Sequence, residues 1–374
     1  MVVEVPRMGN SNSDATVLAG SLFFNAAFDW GDEIDLARAA ALAPSQEQDL
    51  GRRPRTPASI SYRPAPLRFP LPEVVVRIGD ADVRAQAEAS VFDFGGVNVR
   101  LEISLRQAAE ELRRFAGDPT LQATLIAAAR SAVQNLHERL RPTVKGPAWS
   151  ELVEEYFVFR FDPSNWSSVE SVTTAHADWL AGLLRLEAGP LAAEQVNEAL
   201  SRRISYSPQD LVVVDWAAAV VIDHDCAETL RALEFANLQL LEFRLIDRRL
   251  DEALDKAYGL IHSLAKRRLL FFGRTQDRPL RVLGDIKLEM EALFDRAAGA
   301  LKLVGDQYLA RVYHLASTRL HLDEWSAGIK SSLETVQDVY QILSDQAAAG
   351  RFELLEIVVI VLIAVEIVIS LVGH

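Results

Sequence analysis

Cysteine is almost absent. Cys226 is the single one in 374 residues, so no disulfide can close within the chain, which fits a body kept in a reducing compartment. Positive charge is also short: 39 Lys and Arg stand against 52 Asp and Glu, a formal net charge of −13. A surface of that sign repels nucleic acid and anionic lipid taken as a whole, so nucleic acid is not expected as a partner. The Gly95-Gly96 pair has no Gly-x-Gly-x-x-Gly frame and no Walker-type Lys-Ser/Thr, which argues against a phosphate loop. His314 and His321 share a helix face without forming His-Glu-x-x-His. Asp223-His224-Asp225-Cys226 gathers metal-capable groups, but consecutive residues at a strand-to-helix junction cannot all point one way, so capping and a solvated turn account for them. No Ser/His/Asp, Cys/His or paired-carboxylate spacing supports catalysis. The sequence is therefore expected to be non-enzymatic, with no catalytic residues, cofactor or metal.

The opening residues lack the marks of a leader. Ala15 to Phe28 is apolar, but Glu4, Arg7 and Asp14 replace the usual positive flank and no small-residue cleavage site follows, so a buried strand is expected there. Residues 1–14 read as a loose tail rich in Pro, Gly, Asn and Ser.

The 49% of hydrophobic residues can fill substantial cores. An acidic first turn at Glu33-Ile34-Asp35 opens a short helix ending near Pro44, and a proline-rich connection follows to Pro72. From Val74 the pattern alternates with period two. Strands are expected at Val74–Ile78 and Val83–Ala89, then a hairpin whose arms, Val91–Phe94 and Val97–Leu101, flank Gly95-Gly96, residues that accept the positive φ of a tight turn. Helices are expected over Leu105–Phe115, Leu121–Leu140, Trp166–Leu186 and Ala192–Arg202, with strands at Glu154–Phe161, Leu211–Trp216 and Ala218–Ile222. Residues 15–222 thus read as an α+β domain.

From 223 to 350 the pattern is helical. One helix carries Leu240, Phe243, Leu250, Leu254, Ala257, Ile261 and Leu264, and the chain reverses between Phe272-Gly273 and Pro279. A second runs from Ile286 through Met290, Leu293, Ala297, Leu301, Val304, Tyr308 and Val312 to Leu315, spacing of threes and fours that suits a coiled-coil stalk in an antiparallel hairpin. A third starts near Asp323 and carries Trp325, Ile329, Leu333, Val336, Tyr340, Leu343 and Ala347, with Gly350 as its flexible point.

Residues 351–374 are expected to form a C-terminal transmembrane helix. As a helix, Leu354 to Val372 would extend roughly 28 Å, close to a bilayer core. About fifteen aliphatic residues outweigh the cost of Glu366, up to about 3 kcal/mol. The reading is a single-pass anchor in membrane lipid with a cytoplasmic body. Glu366 and Ser370, one turn apart, offer a polar contact within a helix oligomer, and Glu356 lies nearer the boundary. Lys266, Arg267, Arg268 and Arg274 cluster positive charge at the tip of the hairpin, a possible protein-partner or RNA patch against the plain reading of a solvated helix end.

The segment Phe352-Glu353-Leu354-Leu355-Glu356-Ile357 through Val368 resembles the C-terminal signature of the required-for-meiotic-nuclear-division family, in which Leu-Glu opens an aliphatic run interrupted by one glutamate. The hairpin Val91–Val99 is similar to that family's Phe-rich, Gly-containing strand pair. The resemblance implies a divergent bacterial-type member, a membrane-anchored homo-oligomer, and a domain of unknown function. Eukaryotic members are associated with mitochondria and organellar translation. The function expected is a membrane-tethered homo-oligomeric scaffold or adaptor with an unknown protein partner. Two alternatives stay open: a CorA-like ion transporter, although no second membrane segment or Gly-Met-Asn motif is present, and a soluble oligomer that buries the C-terminal helix.

Overall fold

The apolar stretch near the N-terminus forms the central strand of a sheet, β1 (Val17–Asp29). This computed structural model describes residues 17–43, 46–47, 60–62, 64–78, 81–166, 168–267, 277–299, 301–303 and 307–372. In chain order the elements after β1 are β2 (Glu33–Ile34), α1 (Leu36–Leu42), β3 (Gln46–Glu47), β4 (Ile60–Tyr62), β5 (Leu67–Ile78), β6 (Ala81–Val91), β7 (Gly96–Ala108), α2 (Ala109–Ala116) and α3 (Leu121–Leu140). Then come β8 (Val144–Lys145), β9 (Glu154–Phe161), α4 (Val169–Ala175), α5 (Ala177–Arg185), α6 (Ala193–Ala199), β10 (Arg203–Ile204), β11 (Leu211–Val214) and β12 (Ala218–Ile222). The last are α7 (Ala227–Arg267), α8 (Asp277–Gly299), β13 (Leu301–Leu303), α9 (Gln307–Arg319) and α10 (Leu322–Val372). The chain divides into two compact units, residues 1–242 with 296–323, and residues 243–295 with 324–374.

The first unit is α+β. Its nine-stranded sheet runs β10-β11-β12-β9-β1-β7-β6-β5-β3, antiparallel throughout except where β12 lies parallel to β9. Period-two geometry gives β1 two different faces. Leu18, Leu22, Phe24, Ala26 and Phe28 point into the main core. Against them α3 lays one stripe, Leu121, Leu125, Ala129, Val133, Leu136 and Leu140, all buried. That spacing is one face of a 3.6-residue helix, and each buried Leu or Val contributes roughly 1.5–3 kcal/mol.

The opposite face sets polar pairs among buried apolar side chains such as Phe23, Ala27 and Val158. Asn98 Nδ2 donates to Asn25 Oδ1 (3.2 Å), and Arg100, opposite Asn25 in the register, pairs with Glu88 at 2.8 Å and Glu234 at 3.7 Å. The first half of α7 covers this face, and every residue from 232 to 239 is buried. A helix enclosed on all sides must satisfy its polar groups internally. Asn237 Nδ2 donates to the Glu154 carbonyl (3.1 Å), and Gln239 donates to the Ala297 carbonyl and accepts from Tyr313 Oη.

The second unit is helical. The second half of α7, α8 and α10 bury Leu250, Met290, Leu293, Ile329, Leu333 and Val336, positions marked by the heptad-like spacing. Phe243 stacks on Phe294 at 5.6 Å and Lys330 lies over the same ring. The expected continuous helix from Ile286 to Leu315 is broken, because α8 ends at Gly299 and β13 intervenes before α9. Helix-disfavouring Gly299 and Gly305 flank that break.

Among the described residues no helix is long and apolar enough to cross a membrane. The expected transmembrane helix and the single-pass membrane localisation built on it are therefore overturned. Within that expected span the described side chains are those of residues 359–363 and 365, a stretch of only about 10 Å as helix against a hydrocarbon core of about 30 Å.

The hairpin turn forms at 92–95. Phe92 N donates to Gly96 O (3.0 Å), and Gly95 takes φ +100, where a Cβ would stand 1.7 Å from the Gly31 carbonyl oxygen. Gly95→Ala is expected to lower the stability of the first unit by about 2 kcal/mol or more, through strain and backbone clash. Gly189→Ala, where a Cβ meets nothing within 4 Å, should stay within about 0.5 kcal/mol. Urea unfolding followed by tryptophan fluorescence distinguishes the two.

Candidate functional site

A cavity of about 480 Å³ opens on the first unit, lined by Arg130, Gln134, His137, Glu138, Arg141, Pro147 and Trp149. Five of these residues come from one stretch of chain, in α3 and at its end. Their spacing of four, three, one and three residues puts them on one helix face, away from the buried Leu125–Ala129–Val133 stripe. The other wall is the segment after β8, and it is held by main-chain hydrogen bonds. Asp32 N donates to Lys145 O (3.0 Å), Ala148 N to Trp30 O (3.0 Å) and Ser150 N to Asp29 O (3.0 Å). Gly146, at φ +59, makes the bend, and a Cβ there would lie 2.2 Å from Asp32 Oδ2.

Trp149 is consequently fixed among aromatic rings. Its centroid lies 4.6 Å from His137, 5.8 Å from Phe28 and 5.9 Å from Trp30. The Arg130 guanidinium sits 5.4 Å from the Trp149 ring and 5.6 Å from Phe28, cation–π distances that hold the charge at the rim. The buried indole N–H of Trp149 has no hydrogen-bond partner. Burial first, and then the positive charge of Arg141, holds the His137 imidazole below its usual value, so the ring is neutral near pH 7 and offers one donor and one acceptor. The cavity therefore combines an aromatic wall, two guanidinium groups, an amide and one carboxylate.

A second polar cluster is structural. The Asp215 side chain is fully buried and accepts from Arg185 Nε (2.6 Å) and Trp216 N (2.9 Å), with Arg319 Nη2 at 2.8 Å. Burial pushes its carboxyl up while Arg319, the Trp216 amide and Arg185 pull it down. Arg185 also reaches Gln195 and Glu198, and Arg319 donates to the Glu198 carbonyl. These bonds tie α5, α6, the β11–β12 turn and α9 together.

The residues singled out from sequence lie elsewhere. Glu356, Glu366 and Ser370 fall on α10, but their side chains are outside the described residues. The same holds for the side chains of Lys266 and Arg267 at the end of α7, and Arg268 and Arg274 fall wholly outside. His224 Nδ1 lies 3.2 Å from Asp162 Oδ2, and among the described residues no group of three His, Cys, Asp or Glu is placed to hold a metal. The α3 cavity was not anticipated. Arg130, His137 and Arg141 could have been noticed as one polar helix stripe, but the meeting of Trp149 with Trp30, more than a hundred residues apart, leaves no local signal.

A family model described as the N-terminal domain of the uncharacterized protein MJ0711 matches residues 19–228. The chain belongs to this family. A protein of Methanocaldococcus jannaschii, the uncharacterized protein MJ0711, is 26% identical over 232 residues, covering 59% of this chain and 67% of its own length. No solved structure matches. The resemblance to the required-for-meiotic-nuclear-division family is overturned by this match. Its basis was a Leu-Glu pair before an aliphatic run with one internal glutamate, and a Gly-containing strand pair, patterns with little information because many apolar helices and hairpins share them. The family match spans the sheet except for Val17 and Leu18, takes in the α3 cavity and Asp215, and ends in the first turn of α7.

Two outcomes check this geometry. Asp215→Ala leaves two guanidinium groups without their buried acceptor, and should destabilise the first unit by about 3–5 kcal/mol in chemical denaturation. His137 is depressed in the folded state, so it binds its proton more readily when unfolded. Its contribution is fully present above the unfolded value of about 6.5 and is lost as pH falls through the lowered folded value. Thermal melts across mild acid should show that loss in the wild-type protein and less of it in His137→Gln.

Proposed function

We propose that this protein is a non-enzymatic homo-oligomeric scaffold, assembled through α10 and presenting its α+β unit to a protein partner. The observation that carries the reading is the apolar run on α10. Val359, Ile360, Val361, Leu362 and Ile363, with Val365, are each exposed by 49–62%. At 100° per residue five consecutive positions go round the whole helix, so the exposure is not a single stripe turned away from a core. The surface involved is on the order of 500 Å², the size of the largest patches seen on monomers and often functional. Covering it would contribute roughly 12 kcal/mol per copy before association costs of about 4–15 kcal/mol.

A second copy suits this surface because the six side chains are all aliphatic and uncharged, so the patch is complementary to itself. Upstream, Ile329, Leu333 and Val336 of the same helix are already buried within the second unit, leaving the far end of α10 for assembly.

Light scattering on the full chain tests the reading. The expected mass is a multiple of 41.4 kDa, falling to the single-chain value in an Ile360→Glu/Leu362→Glu variant with unchanged helical circular dichroism. A wild-type protein at the single-chain mass contradicts it, as does an oligomer whose mass ignores the double substitution.

A further inference from the structure

We propose that the cavity between α3 and the Pro147–Trp149 segment binds a small ligand that joins a planar ring to a phosphate, of the nucleoside monophosphate class. The cavity, about 480 Å³, falls within the roughly 300–1,000 Å³ of small-molecule sites. Its two walls differ in chemistry. Trp149 and Pro147 supply apolar surface, and the indole is fixed by tilted and edge-on contacts with Trp30 and Phe28. A ring laid on such a wall needs little reorganisation of the protein, because the flanking backbone is already fixed by the Asp32–Lys145, Ala148–Trp30 and Ser150–Asp29 hydrogen bonds.

The helix wall supplies the polar groups. Arg130 and Arg141 line the cavity eleven residues apart, with Gln134, His137 and Glu138 between them, giving a cation toward each end and groups that can meet the edge of a heterocycle in the middle. Guanidinium is the side chain best shaped to bind a phosphate by paired hydrogen bonds. Arg130 already lies over the Trp149 and Phe28 rings, which leaves Arg141 as the phosphate contact. In a chain with net charge −13, two guanidiniums against one carboxylate make a local positive site, to which an anion is drawn. Purely cationic ligands would meet both arginines and are disfavoured by the same charges.

Glu138 gives the proposal a directional test, since its carboxylate opposes a bound phosphate while its loss does nothing for an empty surface. The full chain is titrated calorimetrically with AMP, with adenosine alone and with inorganic phosphate alone. The expected result is saturable binding of AMP, tighter than either part. Arg141→Ala should weaken it by roughly tenfold or more, and Glu138→Gln should strengthen it. Arg141 and Glu138 are both exposed, so neither change should alter the thermal midpoint, and circular dichroism checks that. Absence of AMP binding overturns the proposal. Equal binding of AMP and phosphate overturns it, because the ring then contributes nothing, and AMP binding indifferent to both substitutions places any site elsewhere and overturns it as well. The scaffold reading does not enter this test, because the light-scattering mass reports on α10 alone.

Discussion

The structure depends on the double pairing of β1. One strand, Val17–Asp29, runs antiparallel to β7 on one side and to β9 on the other, and its alternation decides what each face of the sheet must meet. A one-residue slip would carry Phe24 and Phe28 to the side that holds Asn98 and Arg100, and Asn25 into the apolar core. The register is therefore specified from both faces at once, and everything packed above and below inherits it. On the apolar side α3 must present a Leu/Ala/Val stripe. On the other side α7 must bring Glu234, Asn237 and Gln239 to the partners that Arg100, the Glu154 carbonyl and Tyr313 provide.

The cavity follows from the same arrangement. β1 ends at Asp29, and the residues just beyond it accept and donate the main-chain bonds that hold the 146–150 segment. Once α3 has turned its apolar stripe to the sheet, its next face is left lining the space beneath that segment. The polar helix stripe and the fixed indole are thus consequences of packing elsewhere, and their meeting gives an aromatic wall beside two guanidiniums without any local motif. The other feature with functional content, the aliphatic end of α10, lies outside the region matched by the family model. The same chain so carries a body matched by the family model and, outside it, an exposed aliphatic segment.

Much of the body was legible because its signals are local. Short apolar runs marked β9, β11 and β12, glycines marked the 92–95 turn, and the Leu121–Leu140 helix has the limits that its flanking prolines suggest. Heptad-like spacing found Met290, Leu293, Ile329, Leu333 and Val336. Two kinds of reading failed. Hydropathy summed over Leu354–Val372 suggested a membrane span, whereas the described residues hold no helix long and apolar enough to cross one, and a low-information Leu-Glu pattern suggested the wrong family. The break between α8 and α9 was hidden because apolar spacing continues across Gly299 and Gly305 as if the helix did. The cavity was illegible for a different reason: Trp30, His137 and Trp149 are brought together only by tertiary structure.

The central claim is that the exposed aliphatic end of α10 meets the same segment of another copy. Nitroxide spin labels attached at Val361→Cys, in a Cys226→Ser background, report this directly through dipolar coupling between chains. The account predicts a defined short distance between labels on neighbouring molecules, which disappears when labelled chains are diluted into a large excess of unlabelled protein. A decay with no specific intermolecular distance, at concentrations where the unlabelled chain is fully folded, would contradict it.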